Sequence, residues 1–529
     1  MNDWIGYRWL SIHYGLEPVQ AFRIDSQIAK SRFTEKADGL IHEYYPAHFR
    51  PDNTLAGHLK FALKSEGVHL EFLSRLFNQI PAAELDVWIA SEPTGQYARR
   101  AGFFYEWLTG NKLAFGGVGV GNYVDAIDEK FYLTATNPIN NTRWRVRDNL
   151  PGTPAYCPSI YRTQTIRTAE GYDIPRHLRS LESEYGEDLL MRSAVWIGMK
   201  ESLASFTLEH EAQKIDRVKR FAAATAKNCG RYDSPFSEKA LAELQSEILG
   251  TRGTQTNNSF GIRKSPVFVG EVTSEFTPLV HYIAPRWDDV PPILEGMEAF
   301  LKRTTGRNSI LRAGALSFGF VYIHPLSDGN GRISRFLIND TLRRDKALPE
   351  PFILPVSATI IASSRTRRAY DQILETFSKP FMHKYRNDYS FGETKEAADG
   401  IRHNLEFSAY KDALAAWRYP DLTSHVEYTA QVIDQTIENE MRNEAAYLKK
   451  HRIAREKVKE IVEGPDTDID YIIRSVQENK GKISNSLAKR FPVLGEKPIA
   501  EKVATTVRDA FRKEESANLS FAFRPTPRP

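Results

Sequence analysis

Between His324 and Arg335 the chain reads His-Pro-Leu-Ser-Asp-Gly-Asn-Gly-Arg-Ile-Ser-Arg, a dozen residues whose combined chemistry suits a triphosphate. His324 is a proton acceptor whose ordinary pKa, roughly 6.5, fits general-base work at neutral pH. Asp328 is a hard oxygen ligand of the kind Mg²⁺ takes while it keeps several waters and bridges phosphates. Gly329 and Gly331 let backbone N–H groups approach an anion closely, and Asn330 adds an amide between them. Arg332 and Arg335, three residues apart on a helix, lean to one side and offer planar forks to phosphate oxygens. A solvated loop with incidental ion pairs is the plainer alternative, and it leaves so many matched chemistries in one run unexplained.

Flanking elements must hold that run. From Ser309 to Ile323, the apolar residues Ile310, Ala313, Leu316, Phe320 and Ile323 recur every three to four positions, with Phe318 and Val321 widening the face. The spacing predicts a largely buried helix. Pro325 lacks an N–H and clashes with the preceding turn, so the helix ends near His324. Asp328-Gly329-Asn330-Gly331 tolerates unusual backbone angles, and a second helix follows from Arg332 through Ile333, Phe336, Leu337 and Leu342.

The run resembles the signature of the Fic family, His-x-Phe-x-Asp/Glu-Gly-Asn-Gly-Arg-x-x-Arg, and departs from it only at Leu326, where Phe is usual. The resemblance extends over roughly residues 190–385. It implies a β-hairpin flap upstream, matched by Val267-Phe268-Val269-Gly270 and Leu279 to Pro285, both of strand composition, after Gly261-Ile262-Arg263. It also implies an amphipathic helix through Ile293, Met297, Phe300 and Leu301, and core positions at Leu354 to Ser357 and Tyr370, Ile373 and Leu374.

One class of the family carries an inhibitory helix with the pattern Ser/Thr-x-x-x-Glu-Gly/Asn, and Ser205 and Glu209 stand at that spacing, with His210 in the Gly/Asn place. In relatives the glutamate pairs with the second arginine of the motif, Arg335 here, where the γ-phosphate of ATP should sit. A carboxylate is the natural partner of a guanidinium in a phosphate pocket. The same spacing also arises by chance in long helical chains, which would leave Glu209 a surface residue. The activity implied is AMP transfer from ATP to a Ser, Thr or Tyr hydroxyl of a target protein. His324 would be the catalytic base and Asp328 would hold Mg²⁺, while Gly329, Asn330, Gly331, Arg332 and Arg335 bind the nucleotide. Relatives also remove AMP or transfer other phosphate-containing groups, and Gly331, where the phosphorylating branch has Lys, favours AMP.

Composition frames this reading. At 529 residues the chain is too long for one core, and 41% hydrophobic with 26% charged residues is ordinary for a globular protein. No apolar run approaches the ~20 residues that span a bilayer, and Met1-Asn2-Asp3-Trp4 opens no signal peptide. The two cysteines, Cys157 and Cys229, are too few for a disulfide framework and fit a reducing cytoplasm, the expected location.

The expectation is a mainly α chain with three consecutive domains. Residues 1–165 form an N-terminal α/β extension whose aromatics, Trp4 to Trp107, read as core, and whose glycine run Gly116 to Gly121 has the wrong spacing for a dinucleotide fingerprint. A charge-poor stretch from Asn137 to Ser159 reads as boundary. Residues 166–400 form the Fic-type helical core with its flap and inhibitory helix. Residues 401–529 form a C-terminal helical module whose stripe Val426, Ala430, Ile433, Ile437 and Met441 packs on the core.

From Met441 to Pro529, 19 Lys and Arg face 13 Asp and Glu, and Asp470 to Gln477 and Ser484 to Arg490 resemble two short helices around a tight turn. Winged-helix DNA binding and a docking or dimerisation role both fit, with a disordered tail beyond. The expected partners are a target protein with a hydroxyl side chain, a second copy of the chain and DNA, with no membrane. The competing function is a nucleotide-sensing DNA-binding or scaffold protein whose Fic domain does not turn over.

Overall fold

The computed structural model describes residues 3–37, 40–250, 260–272 and 278–512. The chain is mainly α. It divides into two units: Met1–Tyr172 with Gln213–Lys346 and Ser363–Ala430, and Asp173–Ala212 with Ala347–Ala362 and Gln431–Pro529. This discontinuous division differs from the three consecutive domains expected from composition. Packing joins segments far apart in the chain, whereas composition changes register only along it.

The first unit begins with a four-stranded mixed sheet in the order Trp4–Ile5, Ile24–Ile28, Leu40–Tyr45, Phe33–Ala37. The central pair is parallel, with Ile24 beside Ile41, and the outer pairs are antiparallel. Helices Leu55–Ser65, Leu70–Gln79 and Gln96–Thr109 share a core in which Tyr7, Phe72, Phe103 and Phe104 are buried. The aromatic richness of this region is therefore packing, each such side chain removing about 150–250 Å² from water. Asn137 to Ser159 is not a boundary, as its Trp144, Val146, Leu150 and Cys157 belong to that same core. A Cβ on Gly102 would lie 2.6 Å from the Trp144 ring, so the helix carrying Gly102 can approach only without a side chain there.

Further along this unit, Val290–Arg303, Ser309–Ile323 and Asn330–Arg344 are helices. Ser309–Ile323 has the bounds its spacing predicts, and Asn308 caps it by accepting from the N–H groups of Ile310 and Leu311. The two flap strands are Phe268–Val272 and Pro278–Ile283, antiparallel with Phe268 opposite Ile283. Most of their polar turn lies outside the described residues. Register slips between Val269 and Gly270, and a Cβ on Gly270 would fall 2.2 Å from the Leu279 carbonyl oxygen. Only glycine fits that bulge.

A second antiparallel hairpin, Tyr389–Glu396 with Arg402–Phe407, was not expected. Its first strand is largely exposed and polar, so it lacks the alternation that marks a half-buried strand.

The second unit is helical among its described residues. Ile174–Tyr185 and Glu187–Leu208 are followed by Val356–Ile361, and Ser357 donates through both N–H (2.7 Å) and hydroxyl (2.5 Å) to the buried Glu201 carboxylate. A carboxylate placed at a helix start satisfies backbone donors and opposes the macrodipole. Beyond a π-helical turn at Thr436–Met441, the helices Arg442–Lys459, Asp466–Glu478, Asn485–Arg490 and Lys497–Ala510 enclose their own core of Val458, Ile469, Ile473, Leu487, Val503 and Val507. Lys480 and Gly481, both at positive φ, make the tight turn. Described residues 442–512 hold no strand, so no wing is among them.

Candidate functional site

His324 closes the helix Ser309–Ile323 in the left-handed conformation, φ 49° and ψ 56°, with its N–H on the Phe320 carbonyl. A non-glycine residue there is held at a cost of about 1–2 kcal/mol, so surrounding contacts must over-determine it. Its Nδ1 lies 3.1 Å from the Val321 carbonyl oxygen. That contact requires Nδ1–H and leaves the lone pair on Nε2, the tautomer a general base needs.

The contacts that hold His324 come largely from Arg263. Its guanidinium, on a residue only 2% exposed, donates to the carbonyls of His324 (2.7 Å), Ser265 (2.8 Å) and Pro285 (2.6 Å), with a longer approach to Ile323 (3.5 Å). The carbonyls of Ile323 and His324 end a helix, where acceptors lack intrahelical partners and the macrodipole favours a cation. Burial pushes the Arg263 guanidinium down to about 10, still charged at neutral pH. The Arg263 N–H donates to the Pro325 carbonyl (2.9 Å), beside an antiparallel bridge between Ile262 and Leu326.

The unexpected hairpin steadies the same segment. Asp399, in its turn, accepts from the Lys264 N–H (2.7 Å) and the Ser265 hydroxyl (2.9 Å). Gln245, buried on the helix Glu238–Leu249, accepts from the Gly261 N–H (2.8 Å) and donates to the Asp328 carbonyl (3.0 Å). Arg263, Gln245 and Asp399 had no signal in the sequence, since single polar residues bonded to remote backbone leave no period or motif.

Asn330 braces the loop through its side chain. Its amide is engaged with one backbone unit, accepting from the Leu326 N–H (3.0 Å) and donating to the Leu326 carbonyl (2.8 Å). The side chain thereby shapes the loop. Leu326 itself is buried, as an apolar residue at that position should be.

Gly329, at φ 90° and ψ 2°, starts the helix Asn330–Arg344. The first N–H groups of that helix, those of Asn330, Gly331 and Arg332, have no place in its ladder and make the kind of terminus that can accept an anion. Arg332 and Arg335 are both buried one turn apart. The Asp328 Oδ1 accepts from the Gly329 N–H (2.6 Å) and from Arg332 Nη2 (3.0 Å), while the side chain stays 55% exposed. Among the described residues Oδ2 makes no hydrogen bond, and no cluster of three or more His, Cys, Asp or Glu exists. One exposed carboxylate beside a phosphate-binding terminus fits Mg²⁺, which takes one or two protein carboxylates and completes its shell with water and phosphate.

Ser205 is buried near the end of the helix Glu187–Leu208, and Glu209 is the exposed residue that caps it. His210, in the Gly/Asn place of the inhibitory pattern, has φ 58°. Left-handed backbone accounts for that preference, and His is among the side chains enriched there. Ser205 and Glu209 belong to the second unit, the run His324 to Arg335 to the first.

A polar chain fixes the flap to the helix that bears His324. The Trp417 indole N–H donates to the Tyr282 hydroxyl (2.9 Å), which donates to the Tyr322 carbonyl (2.7 Å). The hydroxyls of Tyr322 and Thr376 donate to the carbonyls of Leu374 and Ile373, so both accept from Nε2–H of His425, at 2.7 and 3.3 Å. Nδ1 then keeps a lone pair with no partner among the described residues. Burial pushes His425 down to about 3.

Above an unfolded-state pKa of roughly 6.5 both states are neutral and the stability is intact. Below it the unfolded chain takes a proton that the folded chain refuses, and stability is lost as pH falls toward 3. Denaturant midpoints measured from pH 7 to 4 should therefore decline for the wild type and less steeply for His425→Gln. Equal slopes would remove His425 from this role.

No helix among the described residues is long and apolar enough to cross a membrane. Residues 235–342 match the family model of the Fic/DOC family. The chain is also similar to the crystal structure of a Fic family protein from Desulfovibrio desulfuricans, at 19% identity and a TM-score of 0.36, over 64% of this chain and 86% of that one. The comparison with curated proteins finds no match.

Proposed function

From the premise that the chain carries a Fic/DOC-family domain at residues 235–342, we propose that it is a protein adenylyltransferase, moving AMP from ATP to a Ser, Thr or Tyr hydroxyl of a target protein. The observation that carries this reading is the pairing of His324, with Nδ1 tied to Val321, and the anion-binding helix start at Gly329 within one loop.

The target hydroxyl oxygen attacks the α-phosphorus while Nε2 of His324 takes its proton. The new O–P bond forms as the bond to the pyrophosphate oxygen breaks, and pyrophosphate departs toward Arg332 and Arg335. Backbone N–H groups of Asn330 to Arg332 stabilise charge on the phosphoryl oxygens. Asp328 would hold Mg²⁺, which when bound would supply positive charge against the phosphate oxygens. Exposed Val269 and Leu279 on the flap would meet the target segment beside this loop.

Glu209 restrains the reaction in this reading by competing with the γ-phosphate for Arg335. Incubation with α-labelled ATP and Mg²⁺ tests both the transfer and its restraint: Glu209→Gly should label itself or proteins of a lysate at least about tenfold more than the wild type, the release of one charge-assisted pair. A second reading, nucleotide sensing coupled to DNA, draws on residues 479–512, where 8 Lys and Arg face 3 Asp and Glu. It is favoured if neither form labels protein while both bind ATP.

A further inference from the structure

The helix Glu187–Leu208 carries large apolar residues on its outer side as well as on its buried one. Leu190, Ala194, Ile197 and Ala204 are buried within its own unit. On the outer side Met191, Val195 and Leu203 are 41%, 72% and 42% exposed, half-buried Met199 continues their line, and Trp196 beside them is 60% exposed. Single exposed apolar residues are ordinary, but a contiguous stripe of about a few hundred Å² marks an interaction site.

We propose that this stripe is where a second copy of the chain docks. Met191, Val195, Met199 and Leu203 follow one another at intervals of four, an i±4n ridge. Such a ridge seats in the groove beside the same ridge of an identical helix, at a crossing angle near −50°. An isologous pair then buries both stripes at once, with Trp196 of each copy walling the groove.

Charge points to the same occupant. Arg192 is paired with Asp188 (3.1 Å) and Lys200 with Glu440 (2.7 Å), so the cations flanking the stripe are neutralised within the chain. Identical surfaces meet without repulsion, whereas an anionic membrane or an acidic peptide is recruited by cations left open. A single helix on each side makes a small interface, so the association is reversible and concentration-dependent.

Sedimentation velocity of the full chain over a concentration series tests the proposal. The mass should rise from 60.2 kDa toward twice that value. Trp196→Asp and Val195→Asp, both at exposed positions, should each raise the dimer dissociation constant at least about tenfold with unchanged circular dichroism and melting temperature. A Val195→Cys form should also cross-link to itself through a short bis-maleimide, the native Cys157 and Cys229 being buried. A single mass at every concentration overturns the proposal. So does a dimer that Trp196→Asp leaves intact, or a monomer that the stripe carries onto phosphatidylcholine vesicles.

Discussion

His324→Ala should lower transfer from α-labelled ATP by at least about 10²-fold, the usual worth of a positioned general base, while ATP binding measured by calorimetry persists. In the proposed reading the phosphates meet the helix start and the arginines, and neither is altered by losing the imidazole. Because His324 sits at φ 49°, Ala also introduces backbone strain that Asn tolerates better. His324→Asn therefore separates the two effects: it keeps the turn and loses the base. Both variants should be inactive to a similar degree. An Asn form that retained most of the wild-type rate would mean that the conformation at 324, and not its proton chemistry, matters.

The next largest effect belongs to a residue outside the motif. Arg263→Met should lower the unfolding free energy by roughly 3 kcal/mol or more, because each buried carbonyl left without its donor costs about 1–3 kcal/mol. The carbonyls of His324, Ser265 and Pro285 all lose the same guanidinium. Arg263→Lys should fall between, since one ammonium cannot span acceptors arranged around a planar fork. Activity of the Lys form should drop through kcat more than through KM for ATP, as the displaced group is His324 rather than the phosphate site. A Met variant with wild-type denaturation and labelling would show that the loop holds its shape without Arg263.

Local chemistry was legible in the sequence wherever a backbone rule forced it. Pro325 ended a helix, Gly329 made a left-handed turn, and the bounds of Ser309–Ile323 followed from apolar spacing alone. The flap strands were legible because Phe268, Val269, Val280 and Tyr282 have strand composition between turn residues. The hairpin at Tyr389–Glu396 was not, since an exposed polar strand carries no alternation to detect. Asn137 to Ser159 misled for a related reason. Few charges suggested a linker, but Trp144 fills the N-terminal core beneath Gly102.

By itself, the order of residues determined that a helix, a tight loop and a second helix present the run His324 to Arg335. These depend on φ/ψ limits and on side chains a few positions apart. Tertiary structure alone decided what keeps His324 in place. Arg263 and Gln245 reach the loop from 61 residues away or more, and Asp399 holds the Lys264 N–H beside Arg263, all through bonds to backbone atoms common to every residue type. It also decided that the Asn330 side chain braces the Leu326 backbone. A backbone carbonyl has no identity in the sequence, so the side chain that satisfies it can be found only after the chain has folded.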